Sequence, residues 1–242
     1  MTRLVVATRN WHKVREIRAI LSERFQYLAL DDFPDAPKTI EDADTFAGNA
    51  TKKAVELAQW LATHSTLDLR SSAVLVLADD SGLEVDALGS APGVHSARFA
   101  AAGAGAVGLT SSLTNNSADA DNNAKLLRLI EAVPWEKRTA RFRCALALTP
   151  VLTTQRAASP VCYADEHDLQ TELFDGVCPG RITFAPRGQG GFGYDPLFIP
   201  EGYEQSFAEL GEEVKNKISH RAAALARLRE RLLDQKSLKI GL

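Results

Sequence analysis

Two adjacent carboxylates, Asp79 and Asp80, follow the apolar run at residues 74–77 and precede Ser81 and Gly82. Four branched aliphatic residues bounded by polar ones predict a buried strand. Because an unpaired buried charge is costly, we expect both carboxylates to leave the core where the strand ends. Strand ends bind ligands in open α/β sheets, but Asp, Ser and Gly also form solvated turns. The motif therefore indicates either a ligand site or a turn.

A second polar segment, residues 8–13, lies where a short apolar run is followed by apolar residues at helical spacing. A strand-to-helix junction offers free N–H groups and a positive helix end, which suit a phosphate group. Thr8 and Asn10 add polar side chains there, and Lys13 adds a charge. The glycine and lysine spacing of a P-loop is absent. Asn10 equally fits a plain helix cap, and Lys13 an exposed cation.

The last helix is predicted to begin at Ser219, a residue type that often caps helices. His220 and Arg221 then fall in the first turn, where the helix dipole disfavours cations. A bound anion would reverse the sign of that interaction. The alternative is an exposed basic turn without a ligand.

The glycine-dense residues 188–196 are incompatible with regular secondary structure. Glycine lets the backbone approach a ligand closely, and the aromatic faces of Phe192 and Tyr194 can stack on bases. Gly193 and Asp195 belong to the same turn. The alternative is a tight turn that packs at least one of the two rings into the core.

The elements that position these groups alternate between strands and helices. An acidic loop at residues 31–43 carries Glu41, which either shares a cation with Asp80 or is merely solvated. A helix of about 18 residues follows, with Asp44 or Thr45 as its cap. Its predicted buried face comprises Phe46, Ala50, Ala54, Leu57, Ala58 and Leu61, and its predicted polar face Asn49, Lys53 and Glu56.

The first helix is predicted to start at Asn10 and to extend to Phe25. Further segments follow from periodicity and from turn-forming residues. They are strands at 83–86, 139–149 and 168–177, a helix at 119–132 and surface loops at 100–118 and 150–167. We expect a single domain over residues 1–242, because no linker divides the chain.

Composition is that of an ordinary soluble globular protein, with 242 residues, 45% hydrophobic and 24% charged. A net charge of −3 provides no global attraction to nucleic acid or to an anionic membrane. We find no apolar stretch of membrane-spanning length and expect no signal peptide. The three cysteines lack Cys-x-x-Cys spacing, so a disulfide framework or a cysteine-rich zinc site is not expected. The prediction is a cytoplasmic protein.

Taken together, these segments resemble the inosine triphosphate pyrophosphatase family, which hydrolyses XTP, ITP and dITP. The matching segments follow the family order and cover nearly the whole chain. They are Thr8-x-Asn10-x-x-Lys13, Thr45-Phe46-x-x-Asn49-Ala50, residues 78–89, residues 91–98, residues 190–196 and Ser219-His220-Arg221. Arg9 stands where the family usually has glycine, and Trp11 and His12 replace smaller residues.

The resemblance implies an α/β fold, with a mixed twisted sheet, flanking helices and two lobes around a central nucleotide-binding cleft. It also implies a homodimer, dependence on Mg²⁺ and hydrolysis between the α and β phosphates. Asp80 would be catalytic, Asp80 and Glu41 would hold the metal, and Asp79 and Lys53 are further candidates. The substrate-binding residues implied are Thr8, Arg9, Asn10, Trp11, His12, Lys13, Ser81, Phe192, Gly193, Tyr194, Asp195, Lys215, His220 and Arg221.

Two other functions stay open beside hydrolysis of purine nucleoside triphosphates. A Maf-type nucleotide pyrophosphatase would share the architecture, but its arginine-rich opening loop is not what residues 8–13 resemble. A nucleotide-binding protein without turnover would need no group that activates water, which disfavours it because Asp79, Asp80, Lys13 and Glu41 are all present.

Overall fold

The computed structural model describes residues 2–22, 25–64, 67, 73–101, 118–152 and 170–238, with only the backbone of residues 234–238. Six strands and five longer helices lie in these ranges. The strands are β1 (Arg3–Val6), β2 (Gln26–Ala29), β3 (Val74–Val85), β4 (Thr139–Pro150), β5 (Glu172–Ile182) and β6 (Phe198–Pro200). The helices are α1 (Trp11–Leu21), α2 (Phe46–His64), α3 (Asp119–Leu129), α4 (Phe207–Ile218) and α5 (His220–Leu238).

The strands form one sheet in the order β2-β1-β3-β4-β5-β6. β1 pairs in parallel with both β2 and β3, so that Arg3 lies opposite Gln26 on one side and Val74 on the other. β6 runs antiparallel to β5, with Gly180 opposite Pro200. The predicted mixed sheet with flanking helices is therefore confirmed.

The chain divides into two compact units. Unit 1 comprises residues 1–80, 145–174 and 228–242, and unit 2 comprises residues 81–144 and 175–227. β1 in unit 1 is apolar and fully buried from Leu4 to Val6, as expected of a parallel strand with neighbours on both sides. In unit 2 the core joins Leu83 of β3, Phe142 of β4 and Phe207 of α4.

Several predicted elements are confirmed with small changes in their ends. Asn10 caps α1, which ends at Leu21 and leaves Phe25 outside the helix. α2 follows Thr45, whose Oγ1 accepts a hydrogen bond from the Gly48 amide at 3.0 Å. β4 spans the strand predicted at 139–149, and α3 ends three residues before the predicted boundary at 132.

Other expectations are corrected or lie outside the described residues. β3 continues through the predicted turn, and Asp79 and Asp80 are buried with 2% and 6% of their surface exposed. Asn49 was predicted on the polar face of α2 but is fully buried. β5 begins at Glu172 and runs to Ile182, beyond the predicted end at 177. Most of the loops predicted at 100–118 and 150–167 falls outside the described ranges.

Among the described residues, no helix is both long enough and apolar enough to cross a membrane. Cys144 and Cys178 are buried free thiols, and Cys162 lies outside the described residues.

A buried guanidinium closes the end of α3 in unit 2. Arg138 is 2% exposed and donates to the carbonyl oxygens of Ile130 at 2.8 Å, Val133 at 2.9 Å and Thr183 at 2.8 Å. The last carbonyl groups of a helix have no partner within the helix itself. Arg138 supplies that partner and links it to the chain after β5.

We expect Arg138→Met to lower the free energy of unfolding by about 3 kcal/mol, because several buried carbonyl oxygens lose their donor. The matched control is Arg141→Met, which removes a half-exposed arginine paired with Asp86 and is expected to cost less than about 1 kcal/mol. Urea unfolding of both variants measures the difference. Equal losses in the two variants would contradict the role assigned to Arg138.

Candidate active site

A cluster of charged side chains in unit 1, termed here the acidic cluster, contains Asp79, Asp80, Glu41, Lys13 and Lys53. Asp79 forms an ion pair with Lys13 from the first turns of α1, and Asp80 forms one with Lys53 from α2. Successive residues of a strand point to opposite faces, so two neighbouring carboxylates require cations from different elements. The carboxylates stay in the strand because each has its own lysine.

Lys53 connects most of the acidic cluster. Its Nζ lies 2.8 Å from Asp80 Oδ1, 2.8 Å from the Asp79 carbonyl oxygen and 3.3 Å from Glu41 Oε2. Buried Asn49, one helical turn earlier, places its Nδ2 3.4 Å from Asp80 Oδ2. The Asn49 Oδ1 accepts from the Ala43 amide at 3.0 Å, which ties the Glu41 loop to α2.

Burial and charge act in opposite directions on this cluster. Burial, with a smaller contribution from Glu41, raises the pKa of Asp80 to about 6 despite the opposing charges of Lys53 and Lys13. Burial would also raise the pKa of Glu41, but Lys53 and a hydrogen bond with Asp80 outweigh it and lower that pKa. Burial lowers the pKa of Lys53 less than the Asp80 and Glu41 charges raise it. Asp80 and Glu41 already share one cation, because both contact Lys53 Nζ, at 2.8 Å and 3.3 Å.

The strand-to-helix segment contributes to the acidic cluster mainly through Lys13. Asn10 Oδ1 accepts from the backbone amides of His12 at 3.0 Å and Lys13 at 3.4 Å, so the helix-cap alternative describes this side chain correctly. Thr8 Oγ1 accepts from the Asn10 amide at 3.1 Å. These bonds fix the segment that presents Lys13 to Asp79.

The residues that depart from the family pattern make other contacts. A guanidinium nitrogen of Arg9 lies 3.4 Å from the carbonyl oxygen of Ala36. Trp11 is 60% exposed, and its ring stacks on that of His12 with the centroids 3.7 Å apart. The substrate-binding role expected of Arg9, Trp11 and His12 stays a prediction.

A turn in unit 2, residues 191–195, carries the aromatic side chains and is termed here the aromatic turn. Asp195 closes it, because its Oδ2 accepts from the Phe192 amide at 2.9 Å. Gly191 has φ of +74°, and a Cβ there would lie 2.2 Å from Asp195 Oδ2, so glycine is required. Lys215 from α4 forms a buried ion pair with Asp195 at 2.6 Å, and its Nζ lies 4.2 Å from the centroid of the Phe192 ring.

The two rings of the aromatic turn have different environments. Tyr194 is buried, and its hydroxyl donates to the carbonyl oxygen of Ser96 at 2.9 Å. Phe192 is only half-buried. The expectation that at least one ring packs into the core is therefore correct for Tyr194, and the face of Phe192 is the better candidate for stacking on a ligand.

The start of α5 is not the exposed basic turn that was one alternative. Ser219 caps the helix, with its Oγ accepting from the Ala222 amide at 3.2 Å. His220 and Arg221 are buried, with 4% and 1% of their surface exposed. A guanidinium nitrogen of Arg221 lies 3.2 Å from Ser81 Oγ.

Two residues that sequence reasoning did not single out position His220. Its ring stacks on Phe142 of β4, with the centroids 4.8 Å apart and the planes 13° from parallel. Its backbone lies against Gly176 of β5, where a Cβ would approach the His220 carbonyl oxygen to 1.9 Å. Both contacts join residues distant in sequence. Of the two residues, only Gly176 gave a signal in the sequence, because a glycine inside a strand can mark a close backbone approach.

Comparison with known proteins identifies the family to which this chain belongs. Residues 4–231 match the Ham1 family, and the chain belongs to that family. It is 45% identical over 233 residues to a dITP/XTP pyrophosphatase of Geobacter sulfurreducens, covering 96% of this chain and 97% of that one. A second dITP/XTP pyrophosphatase, from Shouchella clausii, is 40% identical over 230 residues, or 95% and 96% of the two chains.

A solved structure of a HAM1 protein from Coxiella burnetii has the same fold. Its TM-score is 0.72 at 32% identity, and the match covers 97% of this chain and 100% of that one.

We expect Lys53→Met to lower the free energy of unfolding by about 3 kcal/mol, because the buried Asp80 and its neighbour Glu41 lose their shared cation. The matched control is Lys52→Met at the adjacent position. Lys52 pairs with Asp42 near the surface, and its loss is expected to cost less than about 1 kcal/mol. Chemical unfolding without nucleotide or metal measures both. A Lys53 variant as stable as the Lys52 variant would show that the acidic cluster does not depend on this lysine.

Proposed function

We propose that this protein hydrolyses the non-standard purine nucleoside triphosphates XTP, ITP and dITP to the monophosphate and pyrophosphate. The observation that carries the proposal is the buried pair Asp79 and Asp80, each matched to a lysine. The next residue of the chain, Ser81, bonds to Arg221. The two relatives described above are named dITP/XTP pyrophosphatases, which supports the same reaction.

Mg²⁺ fits the donor set of the acidic cluster. This ion favours one or two carboxylates, completed by water and substrate phosphates. Asp80 and Glu41 offer such a pair, because both carboxylates contact the same Lys53 Nζ. Within the part of the chain described, no group of three or more His, Cys, Asp or Glu side chains is placed to hold a metal ion. When bound, the ion would neutralise phosphate oxygens and lower the pKa of a coordinated water.

The protein's own groups would then position the reactants. Lys13 and Lys53 place positive charge beside the carboxylates, where they can also balance phosphate oxygens. Thr8, Asn10 and Ser81 offer polar atoms for the same oxygens. Asp80 would orient the attacking water and accept its proton. Phosphoryl transfer asks for little covalent chemistry from a protein, so positioning and charge stabilisation dominate.

The purine base would bind to the residues of unit 2. Phe192 presents a half-buried ring for stacking, and Lys215, His220 and Arg221 are hydrogen-bond donors near the aromatic turn or at the start of α5. Hypoxanthine and xanthine carry an acceptor oxygen at C6, whereas adenine carries an amine. Donors directed at that position would reject ATP, because donor would face donor.

Pyrophosphate release from dITP, XTP, dTTP, GTP and ATP, with and without Mg²⁺, separates this function from its alternatives. We expect rapid turnover of dITP and XTP only, and only with the metal. Comparable turnover of dTTP would favour a Maf-type enzyme. Tight nucleotide binding without turnover would favour a non-catalytic binding protein. A cytoplasmic location and a homodimeric state stay predictions.

Asp80→Asn is expected to reduce kcat for dITP more than about 100-fold, because an amide cannot accept the proton of the water. The fold should persist, since the amide oxygen can still accept from Lys53, which also stays paired with Glu41. Asp86→Asn, an exposed carboxylate after β3, is the control and should retain wild-type kinetics. Steady-state kinetics and the circular dichroism of both variants test this, and wild-type kinetics for Asp80→Asn would remove the catalytic role.

Phe192→Leu is expected to raise KM for dITP about tenfold, because stacking between an aromatic ring and a base contributes about 1–3 kcal/mol. Phe184→Leu is the matched control. In both wild-type pairs a cation lies over the ring, Lys215 at 4.2 Å from Phe192 and Arg138 at 4.0 Å from Phe184, so both variants lose a similar contact. If both raise KM equally, or neither does, Phe192 is not the stacking residue.

A further inference from the structure

We infer that Asp119 and Asn123 of α3 are positioning residues that hold the aromatic turn, through Gly193, in the conformation that recognises the base. The inference rests on the proposed function, because it treats the aromatic turn as part of the base-binding site. None of the residues predicted to bind substrate lies in α3. Neither side chain was singled out by its sequence, where an Asp- and Asn-rich helix start is ordinary.

Both peptide groups of Gly193 bind to α3. Its amide donates to Asp119 Oδ2 at 2.6 Å, and its carbonyl oxygen accepts from Asn123 Nδ2 at 3.1 Å. Asp119 and Asn123 are four residues apart, so they lie on the same face of α3. Both hydrogen-bonding groups of one turn residue are therefore bound by one helix.

Packing does not account for the conformation of Gly193. Its φ is +63°, in the left-handed region, and a Cβ placed there would meet no described atom within 4 Å apart from its chain neighbours. Bonds between Phe192 and Asp195 close the turn around Gly193, and the two hydrogen bonds from α3 hold the peptide groups of Gly193 itself. Because Phe192 and Tyr194 flank Gly193, the direction of these peptide groups also sets where their rings point.

The same helical turn holds the neighbouring segment of unit 2. Asn122 is buried, and its Oδ1 accepts from the Ala100 amide at 2.7 Å. This bond fixes the chain just after the 3₁₀ segment Gly93–Arg98, whose Ser96 carbonyl accepts from the Tyr194 hydroxyl at 2.9 Å. One turn of α3 thus restrains the aromatic turn directly and through the segment on which Tyr194 rests.

The buried side chain of Asn123 leaves one of its polar atoms unsatisfied while the other bonds to Gly193. The side chain is 8% exposed, and its Oδ1 has no hydrogen-bond partner within the described ranges. An unsatisfied buried acceptor is unfavourable. The bond from Nδ2 to Gly193 is the hydrogen bond that the structure describes for this side chain. An apolar side chain could fill the same space, so packing alone does not account for the buried amide of Asn123.

The first test is the steady-state kinetics of dITP hydrolysis. Asp119→Ala should raise KM about two- to tenfold, the effect of one hydrogen bond, with kcat changed less than about twofold. Asn123→Asp should raise KM at least about tenfold, because a carboxylate would face the Gly193 carbonyl oxygen. The preference for dITP over dGTP should fall with KM in both variants.

Two further variants distinguish positioning from charge. Asp121→Ala removes an exposed carboxylate from the same first turn of α3 and should behave as the wild type. Asp119→Asn keeps an acceptor oxygen and should restore most of the wild-type KM. If Asp121→Ala raises KM as much as Asp119→Ala, the effect belongs to the helix charge and the inference is wrong.

The second test needs no substrate. Amide hydrogen exchange of Gly193, followed by NMR on the nucleotide-free protein, should be slow in the wild type and in Asp119→Asn. It should be several-fold faster in Asp119→Ala, because the amide loses its acceptor. Unchanged exchange together with unchanged KM in Asp119→Ala would overturn the inference. Altered Gly193 exchange in a protein whose wild type hydrolyses no nucleotide would instead overturn the proposed function and leave the anchoring of the turn in place.

Discussion

The pairing of two buried carboxylates with two lysines is the constraint on which unit 1 depends. Asp79 and Asp80 lie inside a continuous strand, where an unpaired charge would be very unfavourable. Lys13 and Lys53 therefore have to arrive from α1 and α2, which places both helices against the same region of β3. Two lysines therefore balance two of the three carboxylates of the acidic cluster.

Unit 2 follows the same principle with different groups. Lys215 and Asp195 form an ion pair that is almost fully buried, and Arg221 is buried beside Ser81. Burying charged side chains seldom increases stability over apolar packing of similar volume. Their presence in both units is better explained by the ligand chemistry proposed here.

Glycine residues, as well as charged side chains, orient the proposed substrate-binding groups. Gly176 lets the first turn of α5 lie directly against β5, and Gly191 leaves room for the Asp195 carboxylate. Gly193 is different, because a Cβ there would meet no described atom within 4 Å, and hydrogen bonds from α3 hold its peptide groups. Close approach and directed hydrogen bonding are thus two separate ways in which this fold orients the residues proposed to bind substrate.

Local sequence patterns were enough to predict the alternation of strands and helices, the caps at Asn10 and Ser219, and a set of candidate site residues in family order. These features depend on local periodicity and on short motifs, which a single chain displays directly. The predicted exposure of Asp79, Asp80 and Asn49 was wrong, because all three are buried. Whether a polar group is buried depends on partners distant in the chain. Contacts between distant residues determined that Lys13 and Lys53 neutralise neighbouring carboxylates. Such contacts also determined that Phe142 and Gly176 position His220, and that Asp119 and Asn123 hold Gly193. The physical reason is that hydrogen bonds and ion pairs between distant residues have no periodicity along the sequence.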